Sequence, residues 1–284
     1  MNRAFSHKEI LLLQILTITI FIGRAWQGIF WDLPLRSLLW DQNLMQGIVE
    51  SIYNGSWHEY VTDPKVDTFI NNLGVTFGVF WAICASIILV LKPNRKWLRI
   101  PIYIGAALLI GLAFLYWKSK YYALGQLFEY SIQISTPILL VYAVLGGFNS
   151  HKFRGALKVI IAISFICHGL YAYGYYPVPG PWLQWCLDVF MLPTESSAYT
   201  FLYLMGILDF LAAILIFFRP TFNIAIWYCI IWGTMTALAR IVANFYIDAP
   251  LYSLHQWGYE TMFRLVHGGL PFFLWLISKN SNNK

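Results

Sequence analysis

Six formal charges stand inside stretches of sequence that are otherwise apolar: Arg24, Arg240 and Arg264 against Glu129, Asp209 and Glu260. Each costs about 2.5–3.5 kcal/mol at the centre of a membrane helix, so such groups must be paired, hydrated or neutralised. Their signs cancel three against three, as mutual pairing inside a bundle requires. Two histidines, His168 and His267, lie in the same kind of surroundings. Arginine donates to an anionic or carbonyl oxygen, histidine moves protons, and a carboxylate orients either of them. Together they equip a site for acid–base work on a polar head group.

The spacing groups these residues further. Glu260 and Arg264 are four apart with His267 three further on, and Gln126, Glu129, Tyr130 and Gln133 share one helix face. Arg24 has Gln27 three residues on, Arg240 stands between Thr236 and Asn244, and His168 has Tyr171. The candidate catalytic residues are therefore His168, His267 and Glu260. The candidate ligand-binding residues are Arg24, Gln27, Glu129, Tyr130, Asp209, Arg240 and Arg264. Taken singly, either histidine is more often a satisfied core residue, and polar bonds between membrane helices also serve as glue, worth about 0.6 kcal/mol each. It is the grouping that points to a site.

Several chemistries lack their residues. No H-E-x-x-H, G-x-S-x-G or P-loop pattern occurs, which leaves zinc-peptidase, serine-hydrolase and nucleotide-triphosphatase readings without support. His58 and His255 are isolated, and Cys84, Cys167, Cys186 and Cys229 show no C-x-x-C spacing, so no metal is expected. Aromatic residues such as Trp26, Tyr130, Tyr171, Tyr173, Trp232 and Tyr259 are available as walls. Arginine and histidine donors among such walls suit an amphipathic ligand with an anionic or carbonyl head: a quinone, an isoprenoid or a lipid.

Membrane helices must position these groups. Only 11% of the residues are charged, against about 25% in soluble domains. Apolar stretches at about 10–31, 71–91, 100–117, 121–145, 158–176, 200–218, 224–246 and 258–278 each suffice to cross roughly 30 Å of hydrocarbon. The expected fold is one all-α integral membrane domain, residues 1–284, of about eight spans, with seven or nine as alternatives. The first span is expected to be uncleaved, since Gly23-Arg24-Ala25-Trp26-Gln27 offers no signal-peptidase site. Pro137 and Pro271 are the interruptions available, and they are not read as a matched pair across two halves. The R-x-x-[QH]-G likeness between Arg24–Gly28 and Arg264–Gly268 is too short to mark a duplication.

The net charge of +6 belongs to topology rather than to nucleic acid, because the basic residues cluster at span ends. Twelve of the nineteen lysines and arginines fall on the side of the N-terminus and four on the other. Both termini are thus expected in the cytoplasm, a bacterial inner membrane being the expected setting. That orientation gathers the candidate residues toward the outer half of the bilayer. Two outer segments are longer than a connection needs. Residues 38–53 have a helical period and are expected to lie in the interface over a cavity mouth, and 182–190 are expected to form a second interfacial helix anchored by tryptophans.

The first forty residues, with Arg24-x-x-x-Gly28, Trp31-Asp32 and an interfacial segment following, resemble the DoxX-like and HTTM (vitamin K carboxylase-like) membrane proteins. The resemblance implies a quinone as ligand or cofactor. Carboxylation in that family depends on a lysine base, and the apolar spans offer no interior lysine. The expected function is binding of a hydrophobic small molecule in an outward-facing intramembrane pocket, with membrane lipid as the other partner and enzymatic activity left open. A proton-coupled carrier using Asp209 and Glu129 is the alternative, and a non-catalytic assembly protein the third. Reporter fusions placed after Lys96 and Lys152 are expected to signal cytoplasm; a periplasmic or lumenal signal at either would invert the placement of every group above.

Overall fold

The computed structural model describes residues 5–53, 55–146 and 150–282. Its helices, in order, are α1 (His7–Phe30), α2 (Arg36–Leu39), α3 (Gln42–Ile52), α4 (Trp57–Thr62), α5 (Pro64–Leu89), α6 (Arg99–Ser119), α7 (Leu124–Glu129) and α8 (Ser131–Leu145). There follow α9 (Ser150–Ala172), α10 (Gly180–Phe190), α11 (Glu195–Leu215), α12 (Phe222–Ala243), α13 (Pro250–Arg264) and α14 (Val266–Asn282). Eight helical units are long and apolar enough to cross a membrane: α1, α5, α6, α7 with α8, α9, α11, α12, and α13 with α14. This is an all-α multi-pass membrane bundle, with short helices at one end of it.

Two spans begin earlier than their apolar runs. α5 starts at Pro64 rather than near 71, because Asp63 caps it by accepting from Lys65 N–H and Pro64 occupies the first turn, where its missing N–H costs nothing. Pro250 likewise opens α13 ahead of the expected 258. Apolarity marks the depth of lipid, whereas these caps mark the end of the helix. α2 and α3 replace the single helix expected over 38–53. Arg36 ties them down through Asp32 at 2.9 Å and Asp67 at 2.6 Å, and Lys118 pairs with Asp41.

The fourth and eighth spans are each interrupted by one residue, Tyr130 and Leu265. Both residues keep right-handed backbone angles, so the chain continues in the same direction. Pro137 and Pro271 lie beyond the interruptions and remove a backbone donor from each helix. Contrary to the sequence expectation, these prolines do occupy matching places. Each half of the chain runs as a span, an interfacial helical segment, two spans and a broken span. α1, α8, α9 and α14 pack together at the centre, α1 lies along α5, and α9 lies along α11.

Lipid gives helices no hydrophobic reason to associate, so close packing has to do that work, and small residues permit it. A Cβ on Gly28 would lie 2.7 Å from the Gly74 carbonyl oxygen across the α1–α5 contact. One on Gly206 would lie 2.7 Å from the Tyr173 nitrogen and 2.9 Å from the Gly169 oxygen across α9–α11. Gly78→Ala is expected to cost about 1–3 kcal/mol, because its methyl would meet Ala25 O and Ile29 Cγ1 at 2.9 Å. Gly111→Ala, whose methyl meets nothing within 4 Å, is the neutral control in the same thermal-unfolding measurement in detergent.

Candidate functional site

Glu129 and Arg264 are the last residues of the two helices that stop short, α7 and α13. Arg264 Nη1 donates to Glu129 Oε1 at 2.7 Å, joining the broken spans of the two halves through a pair that is 16% and 8% exposed. Around it stand both candidate histidines. His168 Nε2, on α9, is 3.4 Å from the same carboxylate oxygen without a hydrogen bond. His267 Nδ1 lies 2.9 Å from the Arg264 backbone carbonyl. That oxygen can only accept, so Nδ1 carries the proton and Nε2 keeps its lone pair. The two imidazole rings are 5.3 Å apart.

A second pair lies one helix away. Arg240 Nε donates to Glu260 Oε2 at 2.9 Å and Nη1 to the Thr236 carbonyl at 2.6 Å, with the guanidinium 4.8 Å over the Trp185 ring. The third pair required by cancelling signs does not form. Arg24 is fully buried, but its donors go to Gln27 Oε1 at 2.6 Å and Gln133 Oε1 at 2.8 Å. Its charge lies 3.6 Å over the Phe263 ring and 5.1 Å over Tyr130, which stacks on Tyr116. Amide oxygens and aromatic faces satisfy a guanidinium without a carboxylate. Asp209, buried on α11, accepts from the Tyr228 hydroxyl at 2.8 Å and has no ion-pair partner among the described residues. Equal counts of charge were therefore insufficient to identify the pairs.

A cavity of about 260 Å³ opens between α9, α10, α11 and α12. Its walls are mostly apolar, among them Trp182, Trp185, Cys186, Trp232 and Met235, and its polar side chains include His168, Asp209 and Arg240. Trp182 stacks on His168 with ring centres 5.6 Å apart and planes within 12°. Arg24, Gln27 and Tyr130 pack on the other side of the Glu129–Arg264 pair and do not line this space. Of the aromatic residues proposed as walls, Trp232 does. The helix at the mouth is α10; α3, expected there, packs against α2 and α4 instead.

Trp182 and Trp185, expected from sequence as headgroup anchors, also wall the cavity. A signal for their second role was present, since Trp182, Trp185, Cys186 and Val189 follow the i, i+3, i+4, i+7 stripe of a helix that buries one face. Arg264→Leu is expected to lower stability by about 3–5 kcal/mol, because Glu129 would stay buried without its countercharge. Glu260→Gln, whose side chain is 28% exposed and can still accept from Arg240, is expected to cost clearly less. Denaturant unfolding of the two variants in the same micelle would show the order, and equal losses would remove the distinction between the two pairs. No family model matches the chain, and no curated protein or solved structure is significantly similar to it, so a functional reading rests on the side chains themselves.

Proposed function

We propose that this multi-pass membrane protein binds a hydrophobic small molecule with a polar head, of quinone or lipid type, in the cavity between α9, α10, α11 and α12. The observation that carries the reading is the make-up of that cavity: tryptophan-rich walls around His168, Asp209 and Arg240, drawn from three different spans, with Thr236 beside them. Small-molecule sites are mostly apolar hollows of about 300–1,000 Å³ with a few placed polar groups. At about 260 Å³ this one takes a head group or ring and leaves an apolar tail to the bilayer. Arg240 is held through Nε and Nη1, which leaves Nη2 for a carbonyl or anionic oxygen. Glu260 orients that guanidinium, and Trp182 holds His168 flat at the cavity wall.

In the enzymatic form of this reading His168 exchanges a proton with the bound head group. A quinone is the ligand favoured by the resemblance of the first forty residues to DoxX-like and HTTM proteins. The balance of basic residues supports cytoplasmic termini and, with them, a cavity in the outer half of the membrane, taken in this reading to be a bacterial inner membrane.

One observation favours a second reading, transport. The broken fourth and eighth spans stand in equivalent places of the two halves and meet at Glu129–Arg264, and interrupted helices at a repeat interface are where secondary transporters bind their substrates. A single set of samples separates the two. Protein purified in mild detergent is expected to retain an amphiphile detectable by native mass spectrometry. Ala239→Trp, which fills the cavity, is expected to weaken its retention by more than tenfold, or about 1.4 kcal/mol. An unchanged ligand in that variant would overturn the placement, and dissipation of an imposed pH gradient in proteoliposomes would favour the carrier.

A further inference from the structure

We propose that Glu129, His168 and His267 hold a divalent transition-metal ion, with one coordination position open toward Asp209. These residues come from three different spans, yet one ligand atom from each lies within 4.8 Å of the other two. In a tetrahedral site with bonds of about 2.0–2.1 Å, ligand atoms stand roughly 3.3–3.4 Å apart. The Glu129 Oε1 to His168 Nε2 separation is already 3.4 Å. The remaining edges need an inward shift on the order of an ångström, within reach of side-chain rotation. Two imidazoles and a carboxylate with a vacant position form the donor set of catalytic zinc and non-haem iron sites.

Three further observations favour an ion over a merely packed polar core. First, Nε2 of both histidines is buried without a hydrogen-bond partner, although His267 is only 4% exposed. Other buried atoms, such as Arg24 Nε and Trp26 Nε1, also lack partners, but these two ring nitrogens converge with one carboxylate oxygen within ligand distance of each other, which a shared occupant would satisfy. Second, the outer contacts are those that orient metal ligands. His267 gives its Nδ1 proton to the Arg264 carbonyl, which presents Nε2 as a free lone pair, and Arg264 Nη1 holds the carboxylate. Arg264 uses one lone pair of Oε1, and Oε2 has only a long 3.4 Å contact with Gln126, so the carboxylate keeps donor capacity.

Third, there is room and there is charge. A small cavity of about 10 Å³ lies between His168, His267, Asp209 and Thr236, space for a single ion or water. Asp209 is the buried carboxylate that lacks a cation among the described residues. Arg264 already offsets Glu129, so a divalent ion at this point is the missing positive charge beside Asp209. His168 also lines the larger cavity, which puts the ion within one side chain of any head group bound there. The spacing of these residues in sequence, 39 and 99 positions apart, has no metal-motif form, and the expectation that no metal is bound is revised on geometry alone.

The chain, produced without a histidine tag, stripped with a chelator and reloaded with Co²⁺, is expected to keep about one ion per chain through desalting and to show the ligand-field bands of a low-coordinate site. His267→Gln and His168→Gln are each expected to weaken retention by more than about tenfold. X-ray absorption on the Zn²⁺-loaded wild-type chain reads the ligands without any variant: two imidazole nitrogens and a carboxylate oxygen at about 2.0–2.1 Å support the site. Wild-type protein that desalts free of metal, a spectrum without imidazole scattering, or undiminished retention in folded His267→Gln overturns it. None of these readouts depends on what occupies the larger cavity, so failure of the ligand-binding reading does not alter the expected result.

Discussion

A charge buried in hydrocarbon has to be compensated, and in this protein the bond between Arg264 and Glu129 satisfies that constraint where the two halves of the chain meet. Each residue ends a helix that breaks immediately afterwards. The Nη1–Oε1 contact of 2.7 Å therefore joins the fourth span to the eighth at their interruptions. Removing one partner would strand the other in the membrane at a cost of several kcal/mol, far more than one interhelical polar bond contributes. The polar groups around it inherit their positions from this pair. His168 is drawn to the carboxylate, and His267 is set by the Arg264 carbonyl.

The surrounding apolar structure makes that meeting possible. α1 closes on α5 and α9 on α11 through glycines whose backbones touch, and α12 closes on α14 where Gly233 meets the carbonyl of His267. A Cβ on Gly233 would stand 2.5 Å from that oxygen, so this glycine lets α12 approach the very turn that carries the second histidine. Helix packing and site geometry are thus the same contact seen from two sides. The repeated order of elements in the two halves left no comparable trace in side chains. Packing requires only small residues at the crossing points, while the polar residues are free to diverge.

Much of the architecture was legible in the sequence, because bilayer thickness and helix rise set the length of every apolar run. Eight spans and a second interfacial helix near 182–190 follow from that. The helix ends did not, since Asp63-Pro64 and Pro250 start their helices well before the apolar segment begins. The polar residues of the interior were legible as a group and illegible as pairs. Arg24 meets the criteria for an ion pair in sequence, yet two glutamines and a phenylalanine ring satisfy it. Those partners come from three different spans, and single-sequence spacing carries no record of which helices touch. The same holds for Glu129, His168 and His267, whose convergence depends wholly on tertiary packing.

Structural and functional polar groups differ here in whether unmatched atoms coincide with space and with an uncompensated charge. On the α1 side of the Glu129–Arg264 pair most polar atoms are matched, Arg24 Nη1 and Nη2 with Gln27 and Gln133 and Gln27 in turn with the Tyr116 hydroxyl at 2.7 Å, although Arg24 Nε and Trp26 Nε1 are buried without a partner. Neither Arg24 nor Gln27 lines the cavities described above, and their arrangement is that of a packed polar core. On the α9–α12 side the matching stops. Among the described residues two imidazole nitrogens have no hydrogen-bond partner and Asp209 has no cation, and the adjoining space is hollow and lined with tryptophan. Unsatisfied polar atoms, an unfilled volume and an uncompensated charge coincide in one place, and a bound species supplies all three.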